Sequence, residues 1–291
     1  PKDVVLADIR QQVAAGATHV TFGDPDFLNG PAHAMAIVEA MHREFPALTY
    51  DVTIKVEHLL RHSEHLKTLR DSGCLFVTTA AESVDDAVLD HLDKGHTRAD
   101  FLRVLEVFRD LGMVLQPTFV PFTPWTTLES YRELLSVIVT QGLAENVTPI
   151  QLGIRLLIPA GSRLLELDEI RRTIGAFDPA GLLYPWKHAD PRVDALSAKV
   201  QEIASAGDKL KHSRAEIFER IWRAAAAAAD ASEADTAWRM PPSAESAPVA
   251  RLSEPWYCCA EPTQDQFVAI GVAAPRPPAP PRATTGAGDF L

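Results

Sequence analysis

No run of about 18 apolar residues occurs in the 291-residue chain, so the sequence offers no membrane-spanning helix. The first residues, Pro1-Lys2-Asp3, lead directly into an amphipathic segment, with no initiator Met and neither the basic nor the apolar region of a signal peptide. Cysteine is scarce. Cys74, Cys258 and Cys259 cannot build a disulfide framework, a pattern suited to a reducing cytoplasm. Positive charge is nowhere concentrated, and a formal net charge of -11 disfavours nonspecific nucleic-acid binding, which needs a basic surface to displace counterions. These absences together lead us to expect a soluble, cytoplasmic protein with no nucleic-acid and no membrane partner.

What is present is 46% hydrophobic residues, ample for one large core plus appendages. Val5, Ile9 and Val13 have helical spacing, with Asp3 as candidate N-cap and Gly16 as the stop. A short strand is expected over 19–22. Pro31 then opens a helix with apolar positions Ala34, Ile37, Val38, Met41 and Phe45. The cycle repeats with strands near 49–55, 75–79 and 113–120 and helices near 57–72 and 84–94. Thr97 caps a further helix. Pro117 marks its strand as an edge or a bulge. Thr126 and Glu129 have capping-box spacing for the next helix, and 150–158 reads as a fifth strand.

Alternation of this kind argues for an α/β fold with a parallel sheet, closed as a barrel or open and doubly wound. A parallel series normally starts with a strand, whereas here a helix comes first, so one βα unit is inferred to be missing upstream. From about 163 the alternation stops and two helices follow, one carrying Val193, Leu196, Val200 and Ile203, the other Ile217 and Ile221 after Ser213. Ten of the 22 prolines lie between Pro241 and Pro281, which predicts a tail unable to form its own core. The expected division is a core over 1–165, a helical extension over 166–230 and a Pro-rich, disordered tail over 231–291.

In βα folds ligands bind at the carboxyl ends of the strands. The first such end reads Gly23-Asp24-Pro25-Asp26, a place for close backbone approach and for carboxylates that accept from an ammonium, or equally an ordinary turn. The next delivers Lys55, Glu57 and His58, a pocket edge or a solvated first turn, the latter favoured for His58. The third delivers Glu82 and Ser83; Ser83 has the alternative of capping the following helix. His58, His62 and His65 share a helix face with metal-chelating spacing but no evident acidic or Cys partner, so no metal site is assigned in this chain. Cys74 reads as a small buried hydrophobe.

Over residues 3–165 these elements resemble the radical S-adenosylmethionine (radical SAM) enzymes. Gly23-Asp24-Pro25 is similar to that family's GGEP element. Glu82-Ser83, Val88-Leu89 and Lys94-Gly95-His96-Thr97 are similar to its fourth strand and helix. Pro121 through Tyr131 and Leu157 through Ser162 resemble its later turns. Trp256 through Pro262, with Cys258-Cys259-Ala260-Glu261-Pro262, looks like the tail of a subgroup recognised by a CCAEP or selenocysteine-AEP sequence.

The resemblance implies a partial (β/α)6 TIM-like barrel lacking its first βα unit, followed by helices and the Pro-rich tail. It implies S-adenosylmethionine and a [4Fe-4S] cluster as cofactors, cleavage to a 5′-deoxyadenosyl radical, and an electron donor such as a flavodoxin or ferredoxin. It assigns Gly23, Asp24 and Pro25 to the SAM amino group and Glu82 and Ser83 to further polar contacts, with Lys55 and Glu57 as weaker pocket candidates. Cys258 and Cys259 become redox or substrate-interacting thiols. The family's CxxxCxxC is absent from the 291 residues, which, with the missing βα unit, implies a fragment that neither holds the cluster nor turns over. The alternatives are a barrel lyase or hydrolase in which Asp24, Asp26 and Glu82 converge on a metal, and a non-catalytic thiol redox or binding protein working through its vicinal cysteines.

Overall fold

The periodic apolar residues near the N-terminus build α1 (Lys2–Ala14), which buries Leu6 and Ile9. Here the computed structural model, which describes residues 1–230 and 249–251, differs in one detail from expectation: Pro1 occupies the cap position and Asp3 lies inside the first turn. The chain continues through β1 (His19–Thr21), α2 (Pro31–Glu44), β2 (Thr49–Thr53), α3 (Val56–Arg61), α4 (Leu66–Asp71) and β3 (Cys74–Glu82). It then forms α5 (Asp86–His91), α6 (Arg98–Leu111), β4 (Val114–Phe119) and α7 (Leu128–Thr140). After them come α8 (Asp168–Thr173), α9 (Pro191–Lys209) and α10 (Arg214–Ala228). Among the described residues no helix is long and apolar enough to cross a membrane.

Among the described residues the strands form one four-stranded parallel sheet in the order β1-β2-β3-β4. Sequential order is consistent with the wall of a partial barrel rather than a doubly wound sheet. A doubly wound sheet reverses its strand order where helices change face. Here the residues from α2, α3, α4, α6 and α7 all enter a single core cluster with Tyr50, Val52, Val77, Leu115 and Phe119, so the crossovers lie on one face, as in a TIM-like barrel wall. β4 is the last strand of this sheet, which accommodates Pro117 opposite Thr79.

Three local expectations need correction. Residues 57–72 are not one helix: a 3-10 turn at Ser63–His65 separates α3 from α4, and Ser63 is a weak helix former. The fifth strand is reduced to an isolated parallel bridge of Arg155 to Phe122, because Pro149 lacks an N–H and starts a 3-10 helix, Pro149–Gly153. The capping box of α7 is Thr127–Ser130 rather than Thr126–Glu129, since the buried Thr126 hydroxyl instead donates to the Pro121 carbonyl at 2.8 Å. Thr97 caps α6 as expected, within a box with Asp100, and a further box forms at Ser213–Glu216.

α9 and α10 add Val193, Leu196, Val200, Ile217, Phe218 and Ile221 to the same core as the sheet. They approach closely at Gly207, where a Cβ would lie 2.5 Å from Ile217 Cγ1. A smaller cluster of Val120, Ile154, Leu156, Ile158, Ile170 and Trp186 closes the carboxyl end of β4. Arg155 binds it to α9, its guanidinium 3.9 Å over the Trp186 ring and 2.7 Å from Asp194.

Candidate functional site

Parallel strands deliver their following loops to one edge, and here that edge carries most of the expected polar residues. After β1, Asp24 Oδ1 accepts the Asp26 N–H at 2.9 Å, an Asx turn that leaves Asp24 exposed and Asp26 buried. A Cβ built on Gly23 would meet nothing within 4 Å, so the space above this backbone is open. Asp26 is tied to the loop after β2: it accepts from the Lys55 N–H at 3.3 Å, lies 3.7 Å from Lys55 Nζ, and sits 2.7 Å from His58 Nδ1. The Asp26–His58 approach lacks the direction of a normal hydrogen bond, and both atoms are buried without one. His58 is therefore not a solvated first-turn residue. It is 7% exposed and faces a buried carboxylate.

The loop after β3 is the most distorted. The register with β4 slips between Ala80 and Glu82, placing one additional residue on β3. This bulge re-aims the last residue of the strand, and Glu82 adopts φ +60, a left-handed conformation that costs a non-glycine residue about 1–2 kcal/mol. Its buried carboxylate pairs with Lys94 Nζ at 2.8 Å. His96 turns its two ring nitrogens to the Ala81 and Lys94 carbonyls, at 3.2 and 3.3 Å. Between them Gly95 has φ +68, and a Cβ there would lie 3.1 Å from Glu57 Oε2. Asp26, His58, Glu57, Gly95, Lys94 and Glu82 thus form a continuous arc along the edge. Beside it opens a cavity of about 440 Å³, lined by Glu57, Arg61, His96, Asp100 and Arg103 among others, a volume suited to a small molecule.

Residues 1–135 match the family model of the Radical SAM superfamily. The fold is similar to that of the cobalamin-dependent S-adenosylmethionine radical enzyme OxsB. With aqua-cobalamin and S-adenosylmethionine bound, OxsB aligns at TM-score 0.58 and 15% identity, covering 68% of this chain and 35% of that chain. With aqua-cobalamin alone the values are 0.55, 15%, 66% and 34%. The present chain therefore spans about a third of the length of the solved chains it resembles. No curated protein matches it.

The matched segment contains Gly23, Asp24, Pro25, Lys55, Glu57, Glu82 and Ser83, and the structure brings Lys55, Glu57 and Glu82 toward the common arc. Ser83 plays a local part: its hydroxyl accepts the Asp85 N–H at 3.0 Å, while Asp85 itself caps α5. Asp26 faces Lys55 and the His58 ring and Glu82 faces Lys94, so Asp24, Asp26 and Glu82 do not converge on a shared ion. The helix break instead gathers His62, Glu64 and His65, with one ligand atom from each within 4.8 Å of the others. Glu64 is the acidic neighbour that helical spacing alone did not reveal. Cys258 and Cys259 lie outside the described residues.

Sequence reasoning gave Asp26 a place only among the carboxylates after the first strand and in the alternative metal reading, and gave Lys94 no role of its own. Asp26 follows Asp24 in an Asp-Pro-Asp sequence, and burial is what separates them. Lys94 was visible only as part of the Lys94–Thr97 resemblance.

Proposed function

We propose that this chain binds S-adenosylmethionine at the carboxyl edge of its sheet, as part of an enzyme that cleaves it reductively to begin radical chemistry on a substrate. The observation that carries the reading is that the Radical SAM match, residues 1–135, includes the loops following all four strands. The residues present fit the sulfonium ligand. Open space above Gly23 and the exposed Asp24 carboxylate suit an ammonium group, and Glu82, preorganised by its bulge and by Lys94, offers a second acceptor. Reductive cleavage of bound S-adenosylmethionine supplies the hydrogen-abstracting agent. Lys55 and Glu57 border the same edge, where they would orient the ligand's polar groups.

The residues do not fit the [4Fe-4S] cluster. Cys74, the free cysteine among the described residues, starts β3 and so lies at the opposite end of the sheet from the arc. Its thiol points to the Phe76 carbonyl at 3.3 Å, and burial pushes its pKa up to about 12, away from the thiolate that iron requires. No CxxxCxxC occurs in residues 1–291. The cluster's ligands, and docking of an electron donor, would belong to residues other than these. The CCAEP-like segment with Cys258 and Cys259 supports membership of that subgroup and a thiol role near the substrate.

Equilibrium dialysis with S-adenosylmethionine tests the reading. The chain should bind it, and Asp24→Asn should weaken binding by about tenfold or more, the worth of a charge-assisted hydrogen bond. Absence of binding, or affinity unchanged in both Asp24→Asn and Glu82→Gln, would overturn it.

A further inference from the structure

The helices cover one face of the sheet, and the other face has a different chemistry. Alternation along the strands places His19, Thr21, Asp51, Phe76, Thr78 and Gln116 there. On the β1–β2 side this face is satisfied internally. His19 reaches Thr49 Oγ1 at 2.8 Å and Asp51 Oδ1 at 2.9 Å, Thr21 donates to the same Asp51 oxygen at 2.7 Å, and the His19 ring stacks on Phe76.

On the β3–β4 side the polar groups look outward from the strands. Thr78 and Gln116 are register partners, 7% and 8% exposed. The Thr78 hydroxyl is buried with no hydrogen-bond partner. The Gln116 amide does have a partner: Nε2 donates to the Ala250 carbonyl at 2.7 Å, across 134 positions of sequence. Val249 and Ala250 are themselves half-buried. A backbone carbonyl from 134 positions further along the chain is therefore seated on this face, whose neighbouring Thr78 hydroxyl can still donate and accept. Recognition of this kind reads peptide backbone rather than side chain, because a carboxamide and a hydroxyl complement the C=O and N–H groups that an extended chain repeats along its length.

We propose that the face of the sheet turned away from the helices is a binding site for extended polypeptide, occupied in this protein by its own residues 249–251. Gln116 holds the Ala250 carbonyl, and the Thr78 hydroxyl is the adjoining contact point for the next backbone group. The ligand class of this face is peptide, and the chain's own segment is a built-in competitor for it. The digestion below uses neither S-adenosylmethionine nor a cluster, so its failure is distinguishable from failure of the proposed function.

Limited trypsin digestion of the full chain tests it. Arg251 directly follows the pinned residue, and Arg239 is an internal reference in the same tail. When cleavage follows the opening equilibrium, loss of one neutral hydrogen bond should speed cutting by about three- to tenfold. Gln116→Leu should therefore accelerate cleavage after Arg251 by that factor and leave Arg239 unchanged. A millimolar acetylated Pro-Val-Ala-Gln-Leu peptide, which copies the segment without its trypsin site, should accelerate Arg251 cleavage in the unaltered chain. Equal Arg251 rates with and without Gln116 would overturn the proposal. So would acceleration in the variant but none with the peptide, because the contact would then be private to the chain. Should Gln116→Leu expose sites inside the fold such as Arg109, the peptide arm on the unaltered protein decides alone.

Discussion

Replacing Lys94 with Met removes the cation facing Glu82 while leaving the carboxylate buried beneath it. At 2.8 Å and an effective dielectric of about 20, the gross attraction between unit charges is about 6 kcal/mol. The net effect is smaller, since both groups also lose hydration on folding. Stripping one partner from a fully buried pair costs about 3–5 kcal/mol. The Lys94 side chain is 27% exposed and that of Glu82 10%, so solvent screens part of this, and we expect about 2–3 kcal/mol for Lys94→Met. Over a chain of this size that is a fall of roughly 5–10 °C in Tm. The double variant Glu82→Gln/Lys94→Met, which buries no unpaired charge, should be less destabilised than Lys94→Met alone. Urea unfolding of wild type, both single variants and the double variant, followed by far-ultraviolet circular dichroism, gives the coupling energy. A coupling below about 0.5 kcal/mol would refute the claim that Lys94 holds Glu82 in its left-handed conformation.

Three further outcomes follow from other parts of the molecule. The Thr97 hydroxyl, then its backbone N–H, holds the Asp100 carboxyl below its ordinary value of 3.8. The unfolded chain therefore binds the proton first, and this contribution is present above about pH 4 and lost as pH falls through the folded pKa; Asp100→Asn should flatten the acid limb of the stability profile in that window. Burial raises the Cys74 thiol from 9.0 to about 12, so unfolded chains ionise first and stability should decline between those values. In Cys74→Ala that alkaline decline should shrink, as measured by urea titration at successive pH values. Gly207→Ala should destabilise by about 1–3 kcal/mol, although Ala is the better helix former by about 1 kcal/mol, because its methyl would meet Ile217 Cγ1 at 2.5 Å. An unchanged or raised Tm would contradict the packing of α9 on α10.

The parts of the site that were legible beforehand are those that depend on position along a strand. Gly23, Asp24, Lys55 and Glu82 were placed at carboxyl ends because hydrophobic periodicity located the strands, and the parallel sheet does bring those ends to one edge. Their partners were not legible. His58 was read from its helical neighbours as solvated, but Asp26, on another loop, takes it into the interior. The expected convergence of three carboxylates failed for the same reason: Asp26 and Glu82 each had a cation nearby in space, Lys55 and Lys94, that no spacing rule discloses.

Sequence alone determined the βα alternation, the cap at Thr97 and the stop at Gly16, all properties of residues within a few positions of one another. It also determined the chemical absences: no CxxxCxxC and no concentrated basic charge. Tertiary structure decided the sequential strand order, the break at Ser63, the bulge that turns Glu82 toward Lys94, and the seating of Ala250 on Gln116. Each of these balances groups far apart in the chain, where burial and pairing outweigh local propensity.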